Sequence, residues 1–338
     1  MKLFKYLIFI LLVFGCDSKS TEVQRFILKG NEALAGQEYL QAVRYYTEAI
    51  KKDSTSADAF NNRGVAYQGL GQNGNALADY NQAIILKPEY WDAYYNRSNN
   101  FIAMKQYDRS LRDLEVVVEA WPDTAYVHFS LGLVFANKGK YRDAIVSFSK
   151  TIELDPKNVE SYINRANMML YTEQYRKAEN DIEYALKLDN NQSSAYNALA
   201  MLRVEKGAYD EALEAISKAL KLEFQHPFYL NNRGYIFIKR GELDKAKKDI
   251  DLSISLDPYN AWAYRNKGIL YLELGDFNQA IRLFQEAISK DENVQLAYYY
   301  LGKAFQNEGN LKKACEAWKQ SAKRGEEKGK VMLDKYCN

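Results

Sequence analysis

The sequence is poor in the residues that interrupt helices. Its 338 residues include only 5 prolines and 18 glycines, too few for a loop-rich sandwich or propeller. Histidine is scarcer still: neither His128 nor His226 has a cysteine, an acid or a second histidine at ligand spacing. Glycine-rich phosphate loops are absent as well. The composition therefore favours long helices, and it predicts a protein that is not an enzyme and has no metal and no cofactor.

A large excess of one charge is also missing. The sequence has 46 basic and 44 acidic residues, and the two numbers become equal once Lys2 and Lys5, which precede Cys16, are left out. Nucleic-acid binding needs a basic tail or stripe, which this chain lacks. We therefore expect no nucleic-acid partner.

Residues 1–16 form a segment of their own. Lys2 and Lys5 give it a basic start, Tyr6 to Phe14 are uncharged and apolar, and Cys16 follows Gly15. This order is typical of a secretory signal peptide, and the apolar run is too short for a transmembrane helix.

The end of this segment, Val13 to Cys16, resembles the lipobox of bacterial lipoproteins, in which the cysteine receives a lipid and becomes the new N-terminus. The resemblance implies lipidation of Cys16 and a bacterial envelope protein, anchored to the inner or outer membrane and facing the periplasm or the exterior. The alternative is a chance or buried cysteine after an ordinary signal. If Cys16 is lipidated, residues 17–22 are a short tether between the anchor and the first repeat.

The few prolines are regularly spaced. Pro88, Pro122 and Pro156 are 34 residues apart, and Pro258 lies three further steps of 34 along the chain. A frame of this length runs without insertion through residues 23–328. Its nine repeats begin at Val23, Ala57, Trp91, Ala125, Val159, Ser193, Pro227, Ala261 and Gln295.

Within this frame, small and large residues recur at fixed places. Place eight is glycine, serine or alanine in every repeat, as in Gly64, and place twenty is alanine or serine, as in Ala76. Places four and twenty-four are mostly aromatic, as in Phe60 and Tyr80. Two antiparallel helices approach closely where a small residue faces the crossing point, so the pattern predicts one helix pair per repeat.

The repeat resembles the tetratricopeptide repeat family over residues 23 to about 328. The resemblance implies an all-α, right-handed superhelical solenoid of nine helix-turn-helix repeats with a concave groove. Because the end of a solenoid needs a polar cover, residues 326–338 are expected to form a capping helix.

Two cysteines lie close to this cap. Cys315 and Cys337 are equally far from Glu326, beside an expected turn at Gly325, so they would be level in an antiparallel helix pair. This arrangement predicts a disulfide. Two free buried thiols are the alternative.

Arginine at place seven occurs together with aspartate at place twenty-three. The two are present in the same four repeats, which predicts a structural ion pair between the two helices of each. The pairs are Arg63 with Asp79, Arg97 with Asp113, Arg165 with Asp181, and Arg233 with Asp249.

Asparagine precedes each of these four arginines, at place six. In the family this face lines the groove, and the asparagines resemble a ladder that holds the backbone of an extended peptide. The alternative is that the amides bind only the scaffold or water. The expected ladder consists of Asn62, Asn96, Asn164, Asn232 and Asn266.

Toward the C-terminus the expected groove becomes aromatic and basic, which is typical of a binding hot spot. Packing between first helices is the alternative. The residues are Phe228, Tyr235, Lys239, Trp262, Arg265, Tyr299 and Tyr300.

These features predict a membrane-anchored scaffold or adaptor that binds another envelope protein, or an extended peptide segment, in the groove. Two other functions remain open: a glycan-binding lipoprotein, and an assembly factor for a secretion or outer-membrane complex.

Overall fold

The computed structural model describes residues 19–337, and the signal segment with Cys16 lies outside this range. No strand occurs in the described part of the chain. Its helices are α1 Lys19–Ala35, α2 Tyr39–Lys52, α3 Ala57–Gly69, α4 Asn73–Leu86, α5 Trp91–Ala103, α6 Tyr107–Ala120, α7 Ala125–Asn137, α8 Tyr141–Leu154, α9 Val159–Tyr171, α10 Tyr175–Leu188, α11 Ser193–Glu205, α12 Tyr209–Leu222, α13 Pro227–Lys239, α14 Leu243–Leu256, α15 Ala261–Glu273, α16 Phe277–Lys290, α17 Ala297–Glu308, α18 Leu311–Lys323 and α19 Glu327–Tyr336.

The chain divides into two compact units within α7, unit 1 ending at Val134 and unit 2 beginning at Phe135. Consecutive helices pack against each other from α1 to α6 in unit 1 and from α8 to α19 in unit 2. The first helices of successive repeats are also in contact: α3 packs against α5, and α13 packs against α15. The protein is thus a helical solenoid of repeats, as the 34-residue frame predicts.

The small residue at place eight packs against the large residue at place twenty-four in the core of the repeat. Gly268 on α15 lies under the ring of Phe284 on α16, and a Cβ atom there would be 2.6 Å from the Phe284 ring. Gly302 lies in the same way under Trp318, whose side chain is fully buried. The helices of a repeat therefore approach as closely as these glycines allow.

The turn inside each repeat has a left-handed residue at place fifteen. Most of these residues are glycines, such as Gly139 with φ of 70°. Gln37, Lys105 and Glu173 take the same conformation, with φ of 59°, 57° and 59°. The turn geometry is thus constant even where the residue at this place is not glycine.

Two helix starts differ from the expectation. Helix α1 begins at Lys19, so residues 19–22 are helical and not part of a tether; Glu22 forms an ion pair with Lys52 at 2.8 Å. Helix α17 begins at Ala297 instead of Gln295 because Leu296 has a left-handed backbone, with φ of 60°.

The C-terminal helix α19 lies where the capping helix is expected, and it packs on α18 and α17. A disulfide joins Cys315 to Cys337, with a Cα–Cα distance of 5.7 Å. The predicted disulfide is thus present, and the alternative of two free thiols is wrong for this structure.

Candidate functional site

All four predicted arginine-aspartate pairs are formed. Arg97 donates two hydrogen bonds to Asp113, at 2.8 and 2.7 Å, and the other three pairs have the same forked geometry. The Asp113 side chain is 8% exposed, so the pair is shielded from water. In repeat two, hydrogen bonding to Asp79 raises the pKa of Arg63. The arginines at place seven are therefore structural residues.

Three of these arginines also reach the preceding repeat. The remaining terminal nitrogen of Arg97 donates to Asn81 at 2.7 Å. Arg63 makes the equivalent bond to Thr47 at 3.1 Å, and Arg165 to Ser149 at 3.0 Å. One guanidinium thus ties together three helices.

The asparagine ladder consists mainly of bonds between amides. Asn96 donates to Asn61 at 3.0 Å, Asn61 to Asn62 at 3.0 Å, and Asn62 to Asn31 at 3.1 Å. These four amides lie on three successive first helices of unit 1. The bonds favour the alternative reading, in which the amides serve the scaffold.

A second amide chain lies in unit 2. Asn266 donates to Asn231 at 2.9 Å, and Asn232 donates to Asn197 at 2.7 Å. Asn266 is 1% exposed, and its oxygen accepts two bonds from Arg265. The expectation that Asn266 contacts a partner is therefore wrong, because both ends of its amide are occupied and buried.

A cavity of about 1160 Å³ lies in unit 2. Its walls come from the start of α8, the end of α9, the first helices α11, α13 and α15, and the loops before α17 and α19. Of the predicted binding residues, the cavity is lined by Phe228, Asn232, Tyr235, Trp262, Arg265 and Tyr300. The volume lies somewhat above the range of about 300–1,000 Å³ that is typical of small-molecule pockets.

A row of stacked side chains crosses this cavity. The Tyr171 ring lies 4.8 Å from Tyr141 and 6.1 Å from Trp262, measured between ring centroids. The Arg265 guanidinium is 4.5 Å from the centroid of the Trp262 ring. Arg265 also lies 5.7 Å from the Tyr235 ring. Stacking of this kind fixes the rings at separations typical of aromatic and cation–π contacts.

The tyrosines of the cavity are held in the neutral form. Burial raises the pKa of Tyr300 to about 12 and raises the pKa of Tyr171 and Tyr235. Burial also raises the pKa of Tyr141, with smaller contributions from Tyr171, Glu326 and Asp291. At neutral pH these phenols can therefore donate and accept hydrogen bonds but carry no charge.

The other predicted binding residues lie elsewhere. Lys239 is exposed beside Tyr235, and Tyr299 packs edge-on against Tyr300 at 5.0 Å, so neither lines the cavity. Asn164 is half-buried on α9 outside the cavity lining, while Asn62 and Asn96 belong to unit 1. Of the predicted set, the structure thus brings together every aromatic residue except Tyr299, together with Arg265 and a single amide, Asn232.

Sequence reasoning missed Tyr141, Tyr171, Asn197 and Glu326, which also line the cavity. Asn197 carries a signal that could have found it, since it shares place five with Asn61 and Asn231. Tyr141 and Tyr171 carry no such sequence signal, because their approach to Trp262 depends on the angles between repeats.

Residues 19–337 contain no group of three or more histidine, cysteine or acidic side chains that could hold a metal ion. Within the same range, no helix is both long and apolar enough to cross a membrane.

Sequence comparison agrees with the repeat geometry. Several sequence models described as Tetratricopeptide repeat match the chain and together cover most of residues 57–324. The chain belongs to the tetratricopeptide repeat family. The matched segments are residues 57–90, 92–124, 125–158, 147–180, 164–229, 197–261, 261–294 and 296–324.

Curated relatives share only a short tetratricopeptide segment. Hsp70-Hsp90 organizing protein 1 of Glycine max is 40% identical over 62 residues, or 18% of this chain and 11% of the relative. Small glutamine-rich tetratricopeptide repeat-containing protein 2 of Saccharomyces cerevisiae is 38% identical over 63 residues, 19% of this chain and 18% of the relative. The chain thus spans about one tenth of the first of these relatives.

Solved structures agree at the level of the fold. The APC/C hetero-tetramer Cut9-Hcn1 matches with a TM-score of 0.57 at 16% identity, over 95% of this chain and 64% of the other. PilF of Pseudomonas aeruginosa matches with a TM-score of 0.54 at 18% identity, over 61% of this chain and 93% of that one. The tetratricopeptide repeat is generally a non-enzymatic scaffold for protein interactions.

Proposed function

We propose that this tetratricopeptide protein is a lipid-anchored scaffold of the bacterial envelope that binds an extended segment of another envelope protein in the cavity of unit 2. The observation that carries the proposal is the aromatic lining of that cavity. Phe228 is 44% exposed, and Trp262, Tyr300 and Tyr171 are half-buried around the same space. Aromatic side chains of this kind dominate the free energy of protein recognition.

Polar groups in the same walls would hold the backbone of the segment. Asn197 uses its oxygen to accept from Asn232, which leaves its amino group without a partner among the described residues. The Asn167 side chain makes no hydrogen bond within the same range. Amides pair with peptide groups whatever the side chains of the bound segment are, so they suit an extended segment.

The proposed anchor is the lipid on Cys16. Because α1 begins at Lys19, little chain separates Cys16 from the first helix. Two residues span at most about 7 Å. Unit 1 would therefore begin close to the membrane surface.

Capture from detergent-solubilised envelopes tests the binding site. The wild-type protein, Trp262→Ala and Tyr259→Ala would be compared by quantitative mass spectrometry of what each retains. Tyr259 is 80% exposed and lies outside the cavity, so its substitution is the matched control. We expect the wild type and the control to retain one protein. The retained amount of that protein should fall at least tenfold with Trp262→Ala. Equal retention by all three would contradict the assignment.

The same experiment separates the alternatives. Loss of retention after glycosidase treatment would indicate a glycan ligand, and recovery of a secretion machine would indicate an assembly factor. Labelling cells with a palmitate analogue tests the anchor: the wild type should be labelled and Cys16→Ser should not. An unlabelled wild type would remove the anchor from the proposal.

A further inference from the structure

The capping helix α19 is weakly held by its own packing. Its ten residues include a single fully buried one, Gly329, which lies against Ser321. Met332 and Leu333 are partly buried on the core of unit 2, and Tyr336 approaches Trp318 with ring centroids 5.8 Å apart. A helix this short is marginal in water by itself. Its attachment therefore depends on additional links to α18.

The disulfide is the strongest of these links. It connects Cys315 on α18 to Cys337 just after α19, across a sequence separation of 22. In the chain-entropy model a loop of this size favours the closed arrangement by a factor of roughly 100. Without the bond, the docked and undocked states of α19 would be much closer in population.

The cap also reaches the cavity through Glu326, the residue before α19. One carboxylate oxygen accepts from the backbone nitrogen of Leu296 at 2.5 Å, and the other accepts from the Ser321 hydroxyl. Leu296 is the left-handed residue that delays the start of α17. A leucine in this conformation is strained, so a tertiary contact is needed to hold it.

The neighbouring residue continues the link into the aromatic row. The carbonyl oxygen of Gln295 accepts from Arg265 at 3.0 Å. Arg265 in turn lies over Trp262, which packs against the buried cluster of Ala261, Ala287, Val294 and Ala297 and stacks on Tyr171. A continuous set of contacts thus runs from the disulfide to the rings that cross the cavity.

We propose that the cap is a wall of the binding cavity and that the Cys315–Cys337 disulfide completes this wall, so that the cavity is fully formed only in the oxidised protein. Glu326 and Lys328 of the cap line the cavity directly, as does Arg324 at the end of α18. Closure would proceed by thiol–disulfide exchange: the two thiols lose two electrons and two protons, and a disulfide-bearing oxidant is reduced to a dithiol. A chain still in a reducing compartment would have an open cavity, and the protein would become competent to bind after export. This inference rests on the proposed function for the identity of the occupant and for the export of the chain.

The test compares the oxidised chain with the chain reduced by dithiothreitol, using Cys16→Ser so that two thiols are present. 5-Fluorotryptophan would report on the four tryptophans by fluorine NMR. We expect the Trp318 and Trp262 signals to shift or broaden on reduction. Trp91 and Trp121, both in unit 1, should keep their positions and serve as internal controls. Hydrogen exchange of α19 should become about 100-fold faster.

Two results would overturn the proposal. An unchanged Trp262 signal with a shifted Trp318 signal would mean that the cap loosens without affecting the cavity. Unchanged exchange of α19 would mean that the disulfide does not hold it. The variant Glu326→Ala keeps the disulfide. It should move the Trp262 fluorine signal and speed hydrogen exchange of the Leu296 amide, while α19 stays protected. An unchanged Trp262 signal in this variant would again contradict the link. No partner is used, so the outcome is independent of the capture experiment.

Discussion

The Tyr171 ring stacks against the Trp262 ring, although the two residues belong to the first helices of repeats five and eight. Contacts in a solenoid usually join adjacent repeats. Here a contact crosses the cavity, and it narrows the space that a ligand can enter.

Removal of Tyr171 should open this contact. Tyr171→Ala leaves one face of Trp262 without its neighbour, so we expect greater quenching of Trp262 fluorescence by acrylamide and a loss of about 1–3 kcal/mol in the free energy of unfolding of unit 2. Tyr171→Phe keeps the ring and should change quenching little. The quenching is measured as the difference from a Trp262→Phe background. Equal quenching in both variants would show that the stack does not shield Trp262.

Removing one residue of a shielded ion pair should lower the free energy of unfolding more than replacing both residues. Asp113→Ala leaves Asn81 as the one hydrogen-bond partner of Arg97 within residues 19–337, and we expect a loss of about 2–4 kcal/mol in the free energy of unfolding in urea. The double variant Arg97→Leu/Asp113→Ala copies repeat six, where Leu199 and Ala215 hold these places. This double variant should recover most of the free energy of unfolding that Asp113→Ala loses. A double variant less stable than the single one would argue that the pair contributes net stability.

Because Gly268 lies so close to the Phe284 ring, a methyl group added at position 268 should be unfavourable. Gly268→Ala would place its Cβ 2.6 Å from the Phe284 ring, so we expect about 1–3 kcal/mol of destabilisation from overpacking. Gly74→Ala is the control, because nothing lies within 4 Å of a Cβ at that helical position. That substitution should be neutral or stabilising by up to about 1 kcal/mol. Thermal unfolding of both variants would check the contrast.

Glu179 should make stability depend on pH. Hydrogen bonds from Lys206 and Arg203 lower the pKa of Glu179 below its ordinary value of 4.5. Its contribution is therefore complete at neutral pH and is lost as the pH falls through the lowered folded-state pKa. Since the group is partly exposed, we expect about 1 kcal/mol or less between wild type and Glu179→Gln at pH 7, and a difference that shrinks steadily as the pH falls below 4.5. The exposed Glu183, changed to Gln, is the control; a Glu179→Gln difference that does not shrink in acid would contradict this origin.

Much of the fold follows from places that repeat in the sequence. Gly268 and Phe284 recur as a small and a large residue at fixed spacing, so one repeat predicts the packing of the others. The pairing of Arg97 with Asp113 could be inferred because the two types occur together. Both features depend on contacts within one repeat, which local spacing encodes.

The cavity could be predicted only in part. Trp262 and Tyr300 were found because their places face the groove in the family, but Tyr171 meets Trp262 only through the accumulated angles between several repeats. The left-handed Leu296 depends on Glu326 and Arg265, which are distant in sequence. The prediction for Asn266 failed because Arg265 and Asn231 occupy both ends of its amide, which the place in the repeat does not reveal.

The arginines that bond to the preceding repeat limit how repeats could be exchanged during evolution. Arg63, Arg97 and Arg165 each require a hydroxyl or amide at place twenty-five of the repeat before them. In repeat eight a lysine takes the arginine place, and Lys267 pairs instead with Asp251 of repeat seven at 2.7 Å. A duplicated or shuffled repeat would therefore be accepted only behind a neighbour with a compatible side chain, so the order of the repeats is itself part of the encoded structure.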